Sequence, residues 1–203
     1  NYLPIDEQGD LDFNDISKYL NEKTKIVSVA HVSNVLGTIN PLKKLAKMSH
    51  DLGAIFISDG AQGAPHLEVN VKDLDCDFYV FSGHKMLAPT GIGVVWGREN
   101  LLREMEPFMG GGEMIDNVSF EESTWNDIPY KFEAGTPNIA QAIGLGSAVK
   151  YIESIGMDNI QIHEEKLTKY ALEKVSNIKG LHYHGSSRKR SGVISFNIKN
   201  IHP

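Results

Sequence analysis

Short apolar runs alternate along this chain with stretches in which apolar positions recur every three or four residues. Lys25-Ile26-Val27-Ser28-Val29-Ala30, Ala54-Ile55-Phe56-Ile57 and Asp77-Phe78-Tyr79-Val80-Phe81 are such runs, and each predicts a buried strand. Between the first two, Leu42, Leu45, Ala46 and Leu52 repeat at helical spacing. Pro41 sits where a first helical turn accepts it, and Gly53 closes the segment. Residues 14–20 predict a shorter helix ahead of the first strand. Strands separated by helices imply a mostly parallel sheet covered on both faces. Ile92-Gly93-Val94-Val95-Trp96 follows the third run after only a brief link, which predicts that this fourth strand runs antiparallel.

The texture changes at Gly110-Gly111-Gly112, which opens a polar and aromatic stretch reaching about Gly135 and predicts an extended hairpin. Ile139, Ala142, Ile143, Gly146, Val149 and Ile152 then mark a long helix ending near Gly156. A second helix over 158–176 and strands near 181–184 and 192–197 complete the pattern. The fold class is therefore α/β. Residues 1–137 are expected to be part of a larger domain, and 138–203 a connecting helix with the start of a small α+β C-terminal domain. No internal repeat or low-complexity segment interrupts this order.

Composition narrows the function classes. Of the 203 residues, 41% are hydrophobic and 23% charged, ordinary values for a globular protein. The apolar runs fall far short of the roughly 18 residues needed to cross a bilayer, and no charged-then-apolar leader opens the sequence. Neither a membrane partner nor a signal peptide is expected. A net charge of -6 argues against nucleic acid as the main partner. Arg188-Lys189-Arg190, between two strand-like runs, reads as a solvated turn. Cys76 is the single cysteine, so no internal disulfide can form and a reducing, cytoplasmic location is the simplest reading. Neither Asn1 nor Ile201-His202-Pro203 resembles a natural terminus, and the chain is expected to be an internal fragment.

Three polar clusters follow the three apolar runs: His31-Val32-Ser33-Asn34-Val35-Leu36-Gly37, Ser58-Asp59-Gly60-Ala61-Gln62 and Ser82-Gly83-His84-Lys85. In open α/β sheets ligands bind at the carboxyl ends of the strands. One crevice is thus expected to receive Asn34, Asp59, Gln62, Ser82, His84 and Lys85. A lysine that can form a Schiff base, a carboxylate for a pyridine nitrogen, and small hydroxyl and amide donors are what pyridoxal 5′-phosphate (PLP) requires. Each residue also has a plainer explanation. A lone lysine is nearly always a solvated surface group, Asp59 suits a turn or N-cap, and His31 and His84 suit hydrogen-bonded loops. Their joint placement at successive strand ends favours a site, and spacing alone supports a ligand site with a buried lysine.

Asp59-Gly60-Ala61-Gln62, followed by Ser82-Gly83-His84-Lys85-Met86-Leu87-Ala88-Pro89-Thr90-Gly91-Ile92-Gly93, resembles the class V aminotransferase signature. More narrowly, the sequence resembles the SufS-type (group II) cysteine desulfurases. His31-Val32-Ser33-Asn34, Gly110-Gly111-Gly112-Glu113-Met114-Ile115 and Phe132-Glu133-Ala134-Gly135-Thr136-Pro137-Asn138 match further segments of that group, in order and spacing. The resemblance implies a PLP-dependent transferase fold of type I, with residues 1–137 lacking the N-terminal portion of the PLP-binding large domain. Lys85 would hold the cofactor covalently and move protons at the substrate α carbon. Asp59 would pair with the pyridinium nitrogen, and Gln62 would donate to the phenolate oxygen. Ser82 and His84 would contact the phosphate, Thr136 the phosphate of a neighbouring subunit, and Asn34 would lie beside the ring near the substrate carboxylate. No metal site is implied. The family is homodimeric, converts L-cysteine to L-alanine, and passes the sulfur as an enzyme persulfide to a SufE-like or SufU-like acceptor for iron–sulfur cluster assembly.

Some parts of that pattern fall outside this sequence. The family's nucleophilic cysteine lies downstream of a segment that begins like Ile201-His202-Pro203, and Cys76 does not match it; a small apolar filler is the expectation for Cys76. The arginine for the substrate carboxylate lies beyond Pro203. The aromatic residue that stacks on the ring, and part of the phosphate cup, precede Asn1. Residues 1–203 are therefore expected to be inactive alone. Selenocysteine lyase shares every motif present, kynureninase-like enzymes fit the lysine region but explain Gly110–Ile115 less well, and a non-catalytic dimerisation or docking fragment is the reading from another class.

Overall fold

The computed structural model describes residues 1–187 and 189–202. Its elements follow the apolar pattern closely: β1 Ile26–Ala30, α1 Leu42–His50, β2 Ile55–Asp59, a short α2 Val71–Leu74, β3 Phe78–Ser82, β4 Gly93–Gly97 and α3 Glu99–Glu104. Then come β5 Ile115–Val118, β6 Ser123–Trp125, α4 Ile139–Ile155, α5 Met157–Val175, β7 Leu181–His184 and β8 Ser195–Ile198. Strands β1 to β4 form one sheet in sequence order. The first three are parallel and β4 runs antiparallel to β3, with Ser82 opposite Gly93. The ten residues between these two strands are too few for the crossover that parallel pairing requires.

Helix α1 shows why the sheet has one dry face. Leu42, Leu45, Ala46 and Ser49 fall on one side of the helix and are buried, while Lys43, Lys44 and Lys47 lie on the other. The buried stripe packs on Val27, Phe56, Cys76 and Tyr79. The helix ends at His50 rather than at Leu52. The closing turn is made by Gly53 N–H donating to His50 O (2.9 Å) and Ala54 N–H donating to Ser49 O (2.9 Å). Residues 14–20 do not form the expected helix. Only Ile16–Lys18 make a 3₁₀ turn, because Asp15 takes left-handed angles (φ 54°) and offers no side-chain cap.

The amino-terminal foot of the sheet is pinned by Asp77. Its Oδ2 accepts from Phe56 N–H (2.7 Å) and lies 3.0 Å from His50 Nε2. Its Oδ1 lies 2.8 Å from Arg98 Nε, and its carbonyl accepts from Arg98 N–H at 3.0 Å. One carboxylate thereby ties β2, α1, β3 and the end of β4. Beside it Cys76 is fully buried, filling core as expected. Burial, reinforced by Asp77 and Asp75, pushes its thiol up to about 11.

Beyond the sheet, β5 and β6 form the hairpin expected within 110–135, and β7 pairs antiparallel with β8. Val149 and Ile152 of α4 face Phe81, Val94 and Trp96 across a cavity of about 430 Å³. The basic cluster departs from expectation. Arg188 lies outside the described residues and Lys189 is exposed, but Arg190 is half-buried. Its guanidinium donates to the carbonyls of Gly185, Leu36 and Val193, so it serves as a tie between segments and not as part of a solvated turn.

Candidate cofactor site at the strand ends

Parallel register brings the polar clusters together. Ala30 of β1 lies opposite Asp59 of β2, and Asp59 lies opposite Val80 of β3. The ladder continues past the strands through His31 N–H donating to Asp59 O (2.7 Å) and Gly60 N–H donating to Val80 O (2.7 Å). Asn34, Asp59, Gln62, Ser82, His84 and Lys85 therefore share the carboxyl edge of three adjacent strands.

Asp59 is exposed at the last position of β2. Its Oδ1 accepts from Ala61 N–H at 2.8 Å, which fixes the carboxylate against the turn it begins. The 59–63 turn lies on a buried pair: His31, 6% exposed, and Tyr79, 2% exposed, share a hydrogen bond of 2.9 Å between Nδ1 and the phenol oxygen. A Cβ at Gly60 would lie 2.1 Å from Cε1 of Tyr79, and one at Gly63 would lie 2.5 Å from Nδ1 of His31. Only glycine permits that approach. Burial lowers the His31 pKa to about 4 and raises that of Tyr79, so both groups are neutral at pH 7.

Lys85 lies in the 3₁₀ turn Gly83–Met86 that follows β3. The turn is held by Gly83 N–H donating to Ile92 O (2.9 Å) and Ala88 N–H donating to Gly83 O (3.1 Å), and Met86 anchors it at 8% exposure. The expectation of a buried lysine fails. Lys85 is exposed, because the turn carries it past the last strand residue while Met86 takes the inward position. Its ammonium pairs with no carboxylate among the described residues. Ser82 Oγ and His84 Nδ1 share a hydrogen bond of 2.7 Å immediately before it.

Thr136 is exposed on a separate segment, after the β5–β6 hairpin. That segment is fastened to the Lys85 loop by Asn138 Nδ2 donating to Gly91 O (2.6 Å). Lys131, 9% exposed, anchors its start by donating to Arg103 O at 3.0 Å. Sequence reasoning missed Tyr79 as the support of the Asp59 turn, and missed the hydrogen bond of 2.7 Å between His66 Nδ1 and Glu164 of α5. Tyr79 had a weak signal, a phenol inside an apolar run. His66 had none.

A mixed, mostly parallel sheet presenting a carboxylate, a hydroxyl–imidazole pair and an unpaired lysine at one edge defines an α/β ligand-binding protein. A family model described as Aminotransferase class-V matches residues 1–203, and the chain belongs to that family. It is 55% identical over 203 residues to a probable cysteine desulfurase of Staphylococcus epidermidis, covering 100% of this chain and 49% of that protein. It is 52% identical over 202 residues to a probable cysteine desulfurase of Halalkalibacterium halodurans, covering 100% and 50%. The apo structure of a cysteine desulfurase from Thermococcus onnurineus superposes with a TM-score of 0.94 at 43% identity, over 100% of this chain and 51% of that one. The chain thus spans about half the length of the curated relatives it matches.

The donor set fits PLP. The second oxygen of Asp59 is free of protein partners among the described residues, and the exposed Lys85 ammonium pairs with no carboxylate there. Among the same residues, no group of three or more His, Cys, Asp or Glu side chains is placed to hold a metal ion. No helix there is long and apolar enough to cross a membrane.

Proposed function

We propose that the whole protein is a PLP-dependent cysteine desulfurase of the SufS type. It would convert L-cysteine to L-alanine and pass the sulfur, as a persulfide, to a SufE-like or SufU-like acceptor for iron–sulfur cluster assembly in the cytoplasm. The observation that carries this reading is the convergence of Asp59, Ser82, His84 and Lys85 at the ends of two adjacent parallel strands. When bound, PLP supplies the electron sink that stabilises negative charge at the substrate α carbon.

The chain's residues divide the remaining work. Lys85, with no competing ion pair, is the covalent anchor and the group that takes and returns the proton at the α carbon. Asp59, with one oxygen fixed by Ala61 N–H, turns the other to the ring nitrogen and keeps it protonated. Gln62 donates to the phenolate oxygen, and Ser82 with His84 binds the phosphate. Asn34 orients the substrate carboxylate. In the homodimer, Thr136 reaches the phosphate in the other subunit. Residues 1–137 belong to the large cofactor-binding domain, and 138–203 lead into the small one. Cys76 lies buried at the opposite end of the sheet, so the acceptor thiol is drawn from the part of the protein that the longer relatives carry and this chain does not. Residues 1–203 alone are inactive in this reading.

The test is to load the full-length protein with PLP, reduce it with borohydride, and map the labelled peptide by mass spectrometry. Label on Lys85, lost in Lys85→Ala together with release of alanine from L-cysteine, is the expected result. Label elsewhere, or full turnover by Lys85→Ala, would overturn the assignment. Turnover of selenocysteine without turnover of cysteine would make the protein a selenocysteine lyase.

A further inference from the structure

The turn Ser33–Gly37, which carries Asn34, closes on itself and is also held from outside. Within it, Gly37 N–H donates to Ser33 O (2.9 Å), and Ser33 Oγ accepts from Leu36 N–H (3.1 Å) and Val35 N–H (3.3 Å). From outside, residues 189–195 grip the turn and Ile39 just beyond it. Ser191 N–H donates to Gly37 O (2.8 Å), Ile39 N–H donates to Lys189 O (2.9 Å), and Ser195 Oγ donates to Val35 O. Gly37 has φ +74°, and a Cβ there would lie 3.0 Å from Ser191 O, so the two segments meet backbone to backbone.

Arg190 is the hub of this junction. Nη1 donates to Gly185 O (2.9 Å), while Nη2 donates to Val193 O (2.5 Å) and to Leu36 O (3.3 Å). Two of these carbonyls belong to the C-terminal β-hairpin region and the third to the turn, 154 residues away in sequence. The fork of a guanidinium can serve three carbonyls at once, which an ammonium on a flexible stem does poorly. Nε is buried without a partner, so the side chain is placed for its outer nitrogens even though one donor goes unsatisfied.

We propose that Arg190 is a positioning residue that holds the Ser33–Gly37 turn, and Asn34 with it, at the carboxyl edge of the sheet. The proposal rests on the reading of that edge as the PLP and amino-acid site. Among the described residues, the hydrogen bonds of the Arg190 guanidinium all go to backbone carbonyls. Its action on the substrate therefore passes through Asn34, and the two residues must be energetically coupled.

The experiment uses the full-length, PLP-loaded enzyme and the variants Asn34→Ala, Arg190→Ala, Ser195→Ala and the double variant Asn34→Ala/Arg190→Ala. Arg190→Ala is expected to raise KM for L-cysteine about tenfold with kcat changed less than about twofold, as for partners in one hydrogen-bond network. The absorbance of the Lys85-bound cofactor should persist, and the double variant should be no worse than Asn34→Ala. Amide exchange at Val35, Leu36 and Gly37 should quicken in Arg190→Ala. Effects that multiply in the double variant, or unchanged exchange in the turn, would overturn the proposal. Should Arg190→Ala fail to fold, Ser195→Ala removes only the hydroxyl bond to Val35 O and must show a smaller change of the same kind. A wild-type enzyme that does not turn over cysteine would sink the desulfurase reading, while the exchange rates would still decide whether Arg190 holds the turn.

Discussion

Gly60 and Gly63 lie where any side chain would strike Tyr79 or His31, and that pair in turn supports the carboxylate of Asp59. His31 is the residue at which this support is sensitive to pH. Its folded pKa of about 4 lies below the ordinary 6.5, because burial disfavours the imidazolium. The unfolded chain binds a proton as pH falls through 6.5, whereas the folded chain does not until about 4. The stability due to neutral His31 is thus present above pH 6.5 and is lost as pH falls from there to about 4. The loss is on the order of 3 kcal/mol. Urea denaturation at stepped pH should show that slope, and His31→Gln should flatten it. An unchanged slope in the variant would mean that other groups carry the acid sensitivity.

At the level of elements, Asp77 fastens β2, β3, α1 and β4 at the foot of the sheet. Asp77→Ala would leave Phe56 N–H buried without its acceptor and Arg98 without its inner carboxylate. A loss of about 2–4 kcal/mol is expected, read as a lowered urea midpoint at unchanged m value. How legible these elements were depended on how local their causes are. The strands and the antiparallel turn of β4 followed from apolar runs and from the length of one link. The 14–20 segment misled because its apolar spacing could not reveal the left-handed angles of Asp15. Position and motif make Lys85 the expected anchor, and its place just past β3 could be read from the sequence, but its exposure depends on which residue of a four-residue turn faces inward, and spacing does not settle that. Arg190 looked like part of a charge run, since its partner carbonyl at Leu36 is remote in sequence. The Asp59 turn could be read from Asp59-Gly60-Ala61-Gln62, but its support by Tyr79 could not.

Over the whole molecule, the two ends of the sheet have opposite characters. The carboxyl edge is open and polar, with Asp59, His84 and Lys85 exposed. The amino end is closed by Asp77, Arg98 and His50, with Cys76 at 0% exposure behind them. Because Cys76 is the only thiol in these 203 residues, it can act as a clock for the opening of that closed end. A thiol reagent reaches it only in molecules whose core has transiently parted, so the labelling rate measures the fraction open at any moment. Labelling of residues 1–203 should therefore be slow in buffer and should accelerate with urea in step with the loss of structure. In Asp77→Ala it should be faster by the factor that the stability loss dictates. Prompt labelling of the native chain would show that the foot of the sheet opens independently of the rest. A single sulfur atom, chemically idle in the fold, would then report how cooperatively the two ends of the sheet are joined.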